Sequence, residues 1–465
     1  MQLTGPAFLF LFLPLSLLLV FLLPKGHRRI GLSFLSIIWY ILANADNLTG
    51  LAHVAVLVFF SVIMAYLPMP RSVAGAKFRT GLWVAVPLLS LLAARLVLEY
   101  GSGAYTYPAG LLFVTLSSVS FAVDQARGDA LRPRNPLELI GYLLFFPTLT
   151  IGPVLRSKQY FDLTEHIGFH PDIFCFGVRK YMLGYIKRLA VAAVVLRAFS
   201  EVMLYTGREM PLISFFILLI FSFVGFYFAI AGTADMARGI CAMYGIPLPR
   251  DRARLSMDIT PDRTLYGIML SWRRYLLDYL IRPLCRGMGE KRTRICTALL
   301  LFVCVVMLWR TRPEMLLFAL PMLLFSFLNF LPRVRGFMRK STLRRLLFSA
   351  VSILLCTPFT LALTLQDPMS IPRMTVSAFR MGGYPFYAVF SVIRDARYLI
   401  LLGVAMLFLL PYAYICRWLR RRGSARTKQI ILICETVLLF AGFLGTIIYF
   451  APQFPLYAAH GMYHL

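Results

Sequence analysis

Long apolar runs alternate with short polar ones along the whole chain. Residues 7–23 carry no charge, and their length is close to the lower limit for a helix that crosses a bilayer. Similar runs recur at 30–45, 51–67, 81–98, 105–123, 139–155, 211–230, 295–309, 315–331, 346–365, 398–416 and 429–450. Each is continuously apolar rather than alternating, which excludes a transmembrane β-barrel. The pattern predicts an all-α multipass membrane protein with roughly 11 to 13 membrane segments.

Composition agrees with that class. The chain is 59% hydrophobic and 15% charged, where a soluble domain carries about 25% charged residues. The first run lacks a basic leader and ends at Pro24-Lys25-Gly26 rather than at a small-residue cleavage site, so it is expected to be a retained helix. The net charge of +28 would suggest nucleic acid on a soluble protein. Here the basic residues sit in short loops, and the positive-inside rule accounts for them. Basic loops at 25–29, 71–79 and 127–134 alternate with loops at 44–47 and 99–104 that are not basic. The alternation predicts an external N-terminus, and the basic stretch 417–428 sends the last run outward, with an external C-terminal tail. Attraction of the basic loops to anionic membrane lipid is expected; nucleic acid is not. Eight cysteines show no CxxC or CxxH pattern. They are read as buried thiols, with no metal site.

Ionisable groups within apolar runs are costly and mark either helix-orienting pairs or cavity walls. Asp235 and Arg238 lie three residues apart on one helix face, and both readings stand for them. The stretch SWRRYLLDYLIRPL, 271–284, brings together Trp272, Arg273, Arg274, Tyr275 and Asp278. Arg274 and Asp278 have the spacing of a helical ion pair. The stretch is either an interfacial helix with an aromatic belt or the floor of a reaction chamber. Trp309, Arg310, Arg312 and Glu314 cluster around Pro313 at a break between two apolar runs. Proline at a first helical turn, with Glu314 at the positive helix end, predicts a capped turn. In FGVRKYMLGYIKRLAVAAVV, Arg179, Lys180, Lys187 and Arg188 share roughly one side of a helix, which predicts an interfacial amphipathic segment. Only His53 of the six histidines lies inside an apolar run, near its outer end.

In this order, the segments resemble the membrane-bound O-acyltransferase family, in the bacterial branch of alginate O-acetylation and teichoic-acid D-alanylation. FAVDQARGD (121–129), YLLFFPTLTIGPVLR (142–156), FGVRKYMLGYIKRLAVA (176–192), AGTADMARGICAMYGIPLP (231–249), DYLIRPL (278–284) and TIIYFAPQF (446–454) carry the resemblance. It implies a ring of transmembrane and re-entrant helices around a central tunnel. An acyl-CoA or acyl-carrier-protein thioester would enter from inside, with no resident cofactor, and a glycan or lipid hydroxyl from outside. A tunnel histidine would be the general base, a role that suits its pKa near working pH.

The chain departs from the family at that residue. Aligned on the flanking motifs, the family's histidine positions read Met269, Arg310 and Leu323, and no histidine lies between His170 and His460. Leucine and methionine cannot accept the proton, and arginine stays protonated. Three expectations follow. The chain is a non-catalytic member that works with a second acyltransferase chain or an acyl-carrier protein. Or it is an O-acyltransferase with another base, such as Asp235, Glu314 or His460. Or it moves an acyl- or lipid-linked substrate without chemistry. The setting is a bacterial inner membrane and the acceptor an envelope glycan or lipid. The expected organisation is N-terminal helices over 1–120, a family-like core over 121–454 and an external tail over 455–465.

Overall fold

A computed structural model describes residues 2–248, apart from 69, 102–104, 129–132, 134, 151–154, 166 and 207–210, together with 275, 278–279, 314–330, 342–381 without 366, and 425–450. Among these residues the chain is helical and has no strand, as its apolar runs predict. The N-terminal helices are α1 (Leu13–Leu22), which continues a π-helical turn at Ala7–Phe12, α2 (Arg28–Ala43), α3 (Leu48–Tyr66), α4 (Val73–Tyr100) and α5 (Leu111–Arg127). The next group comprises α6 (Pro136–Leu143), α7 (Ser157–Glu165), α8 (Pro171–Ile186), α9 (Val194–Thr206) and α10 (Leu212–Met243). The last described helices are α11 (Glu314–Phe330), α12 (Thr342–Thr364), α13 (Ser370–Met381) and α14 (Ala425–Phe450). Four described stretches are long and apolar enough to cross a membrane: Leu48–Tyr66, Val73–Leu98, Leu212–Met243 and Leu432–Phe450.

Local chemistry sets several of these boundaries. The Asn47 side chain caps α3 by accepting from the Gly50 amide at 2.9 Å, and Ser72 does the same for Gly75 at the start of α4. Side-chain caps satisfy amides that the first turn leaves without partners. Gly128 ends α5 in the left-handed conformation, at φ 78°, where a Cβ would be strained. One apolar run departs from expectation. Residues 139–155 do not form a single span, because α6 stops at Leu143 and residues 144–150 turn. Pro147 has no amide to donate and disfavours helical backbone at Phe146. The freed Phe146 ring then packs edge-on against Phe12 at 5.6 Å between centroids, tying the turn to the first helix.

α8 and α10 make the closest helix pair. Gly177 and Gly184 on α8 face Gly239 and Gly232 on α10. The spacing is seven residues on each helix, which returns a residue to nearly the same face every two turns. A Cβ on Gly184 would lie 2.5 Å from the Gly232 carbonyl oxygen, and one on Gly239 would lie 2.5 Å from the Tyr181 amide nitrogen. The backbones therefore touch, as small residues allow inside membranes, where dispersion contacts rather than the hydrophobic effect drive helix association. Beyond Ile186 the chain passes through a π-helical turn, Lys187–Ala193, into α9. Such turns occur often at functional sites.

Candidate functional site

Two buried polar clusters form where segments distant in sequence meet. The first centres on Asp124, a buried residue near the end of α5. The Tyr279 hydroxyl lies 2.8 Å from both oxygens of its carboxylate, and the Ser157 hydroxyl donates to Oδ2 at 2.9 Å. A buried carboxylate needs such donors, because burial without them is expensive. Burial also holds the Tyr279 hydroxyl above the ordinary phenol range, so it remains a donor.

Arginines close this cluster from two sides. Arg156 forms an ion pair with the Asp278 carboxylate, and Arg127 donates to the Asp278 backbone carbonyl at 2.9 Å. The guanidinium carbons of Arg127 and Arg156 stand 5.5 Å and 5.6 Å from the centre of the Tyr279 ring, within cation–π range. Tyr275 packs on Tyr279 with 4.8 Å between ring centroids and donates to the Leu116 carbonyl at 2.6 Å. The sequence spacing of Arg274 and Asp278 predicts that they pair with each other. Arg274 lies outside the described residues, and among the described ones the Asp278 carboxylate meets Arg156 at the end of the GPVLR segment.

The second cluster centres on Asp235, buried in the middle of α10. Lys187 Nζ lies 2.6 Å from Oδ2, Lys180 Nζ 3.4 Å from Oδ1, and Arg238 Nη1 3.8 Å from Oδ1. Three cations thus share one carboxylate. Glycine contact between α8 and α10 brings the two lysines within reach. On the other side of α8, Arg179 pairs with Glu435 on α14 at 3.0 Å. The basic residues of α8 therefore point into neighbouring helices. That departs from an interfacial segment lying free on the membrane surface, and the reason is that Asp235 and Glu435 supply buried partners. Chemically, Asp235 is committed to ammonium and guanidinium donors and is poorly placed to take a substrate proton.

Glu314 opens α11, in its first turn, and its buried Oε2 has no hydrogen-bond partner among the described residues. Leu323 lies within α11. Met269, Trp272, Arg273, Arg274, Trp309, Arg310 and Arg312 lie outside the described residues, as does His460. Of the candidates read from the sequence, the structure joins Asp235 with Arg238, and Tyr275 with Asp278. Asp124, Arg127, Arg156, Ser157 and Glu435 were not singled out by sequence reasoning, and Lys180 and Lys187 were read only as part of an amphipathic helix face. The signal for most of them was present in the segments DQAR, GPVLR, KYMLGYIKR and DYLIRPL, but their spacing along the chain does not reveal who meets whom.

Comparison with known proteins supplies relatives. No protein-family model matches the chain. It is 26% identical over 313 residues to a probable alginate O-acetylase, AlgI, of Pseudomonas aeruginosa, covering 62% of this chain and 58% of that protein. It is 27% identical over 303 residues to the probable alginate O-acetylase AlgI of Azotobacter vinelandii, covering 60% and 59%. The AlgI of Pseudomonas fluorescens gives the same identity over the same length, covering 60% and 56%. These matches take in less than two thirds of each relative. They bear out the resemblance to the membrane-bound O-acyltransferase family.

Proposed function

We propose that this chain, similar over about three fifths of its length to the AlgI proteins of the membrane-bound O-acyltransferase family, works in acyl transfer to hydroxyls of a bacterial envelope glycan. The observation that carries the proposal is the Asp124–Tyr279–Asp278–Arg156 junction. It knits together three segments that resemble the family, and its groups are satisfied by one another. That is the arrangement of a scaffold kept for shape. The positions where the family has histidines read Met269, Arg310 and Leu323, and none of these side chains can accept a proton at neutral pH. We therefore assign the core a non-catalytic role: it holds or passes an acyl group, and a partner acyltransferase chain or acyl-carrier protein completes the transfer. The Lys180 and Lys187 ammonium groups beside Asp235 favour this role over membrane-surface binding, since they offer a part-buried seat for an anionic donor or headgroup.

The test is acyl transfer by the purified chain, supplied with acetyl and longer acyl thioesters and with envelope glycan acceptors. Wild type is compared with Asp235→Ala, Glu314→Gln and His460→Ala. No turnover by wild type, restored when a second acyltransferase chain is added, is the expected result. Robust turnover by wild type alone would overturn the non-catalytic role. Loss of that turnover in one variant would then identify the base. Movement of an acyl- or lipid-linked substrate across liposomes, without product, would instead indicate a transporter.

A further inference from the structure

Among the described residues, a third polar cluster stands apart from the two above, at the end of the α3–α4 pair opposite the basic loop 71–79. His53, in the second turn of α3, has hydroxyl partners on both ring nitrogens. Its Nε2 lies 2.5 Å from Ser90 Oγ on α4, and its Nδ1 lies 2.7 Å from the Tyr105 hydroxyl in the α4–α5 connection. The ring is held in place: Tyr105 stands 6.0 Å away centroid to centroid, and the Asn47 side chain at the start of α3 donates to the neighbouring Thr106 carbonyl at 2.8 Å. All three side chains are half-buried, so the site is ordered yet reachable. Serine, imidazole and a third group that orients the imidazole, all within hydrogen-bond distance, are the parts of an activated nucleophile.

We propose that Ser90 is an acyl-accepting nucleophile, with His53 as its base and Tyr105 as the residue that positions the imidazole. The nature of the transferred group rests on the acyl-transfer reading above; the existence of the site does not. With the proton on Nδ1, His53 donates to the Tyr105 oxygen and leaves Nε2 free to accept from Ser90. The Ser90 oxygen attacks the carbonyl carbon of an activated ester or thioester. A carbon–oxygen bond forms to Ser90, and the bond from that carbon to the departing sulfur or oxygen breaks. The serine proton moves to Nε2 and then to the departing thiolate or alkoxide. A hydroxyl or thiol nucleophile of the partner acyltransferase next attacks the acyl-serine; its proton passes through His53 to the Ser90 oxygen, and the acyl group leaves on the partner. No oxidant or metal is needed. The site also answers the absence of histidine from the family positions, because the acyl group is handled by a base in the N-terminal helices.

A fluorophosphonate probe tests the nucleophile without any donor or acceptor. Attack by Ser90 forms an oxygen–phosphorus bond and expels fluoride, and the adduct is located by peptide mass spectrometry on the full-length protein in detergent. Wild type is expected to label at Ser90. Ser90→Ala should abolish that label, and His53→Gln should slow it by about 10²-fold, the scale of general-base catalysis. Tyr105→Phe should shift the pH dependence of labelling, an effect that a purely structural hydroxyl would not produce. Elution of each variant as a folded monodisperse species guards against misfolding. The proposal is overturned if Ser90 in folded wild type stays unmodified by both the fluorophosphonate and p-nitrophenyl acetate, or if His53→Gln labels as fast as wild type. Labelling at Ser90 together with no glycan acylation even when the second acyltransferase chain is present would sink the proposed function while leaving this site standing.

Discussion

Lys187 Nζ sits 2.6 Å from the Asp235 carboxylate, across a helix interface that four glycines have brought to backbone contact. Neither residue could occupy its position alone. An ammonium or carboxylate inside a membrane protein is tolerated only when paired, and the lysine reaches its partner because no Cβ keeps α8 and α10 apart.

Removing the carboxylate should cost more than removing any one cation. Asp235→Asn removes the carboxylate that Lys180, Lys187 and Arg238 share. Breaking a buried ion pair from one side costs roughly 3–5 kcal/mol. Lys180→Met should cost markedly less, because its contact is the longer of the two lysine contacts, at 3.4 Å, and two cations remain. Thermal unfolding in detergent should rank Asp235→Asn well below Lys180→Met; equal melting temperatures would contradict the three-to-one arrangement.

Glycine substitutions should separate contact from helix propensity. Gly184→Ala and Gly239→Ala place a Cβ 2.5 Å from facing backbone atoms, so α8 and α10 must part. Yield of folded protein should fall sharply. Gly81→Ala, with nothing within 4 Å of its Cβ, should be neutral or gain up to about 1 kcal/mol from helix propensity. Similar behaviour in all three would refute the glycine contact.

The Asp124 junction should be sensitive to small changes. Tyr279→Phe removes one hydroxyl donor and leaves the buried carboxylate with Ser157, a loss of about 1–3 kcal/mol. Arg156→Lys keeps the charge but loses the planar guanidinium beside the Tyr279 ring, so it should not behave as conservative. Chemical denaturation of both variants measures this, and wild-type stability in Arg156→Lys would count against the ring contact.

Relieving Glu314 should help rather than harm. Its buried Oε2 has no hydrogen-bond partner among the described residues, and replacing an unsatisfied buried oxygen by an apolar group is neutral or favourable. Glu314→Met should keep or raise the melting temperature. A loss above about 2 kcal/mol would point to a partner that Glu314 gains only with substrate or another chain.

Class and broad topology were legible from the chain alone. Apolar runs of bilayer length over 7–23, 30–45, 51–67 and 429–450 become helices because an isolated backbone in lipid can satisfy its amides in no other open-ended way. The run 139–155 misled for a local reason: hydropathy does not register that Pro147 stops a helix. Motif order pointed to the resemblance to the family.

Pairing was decided by tertiary structure. The Asp278 carboxylate forms an ion pair with Arg156, from a segment distant in sequence. Asp235 has Arg238 three residues on, yet its shorter contacts come from Lys187 and Lys180 on another helix. His53, Ser90 and Tyr105 are scattered over α3, α4 and the connection after it, and no spacing rule unites them. The physical reason is the same in each case. Hydrophobicity and helix propensity are properties of neighbours in sequence. A buried charge is satisfied by whichever partner the packed helices bring within about 3 Å, and here that depended on Gly177, Gly184, Gly232 and Gly239 letting two backbones touch.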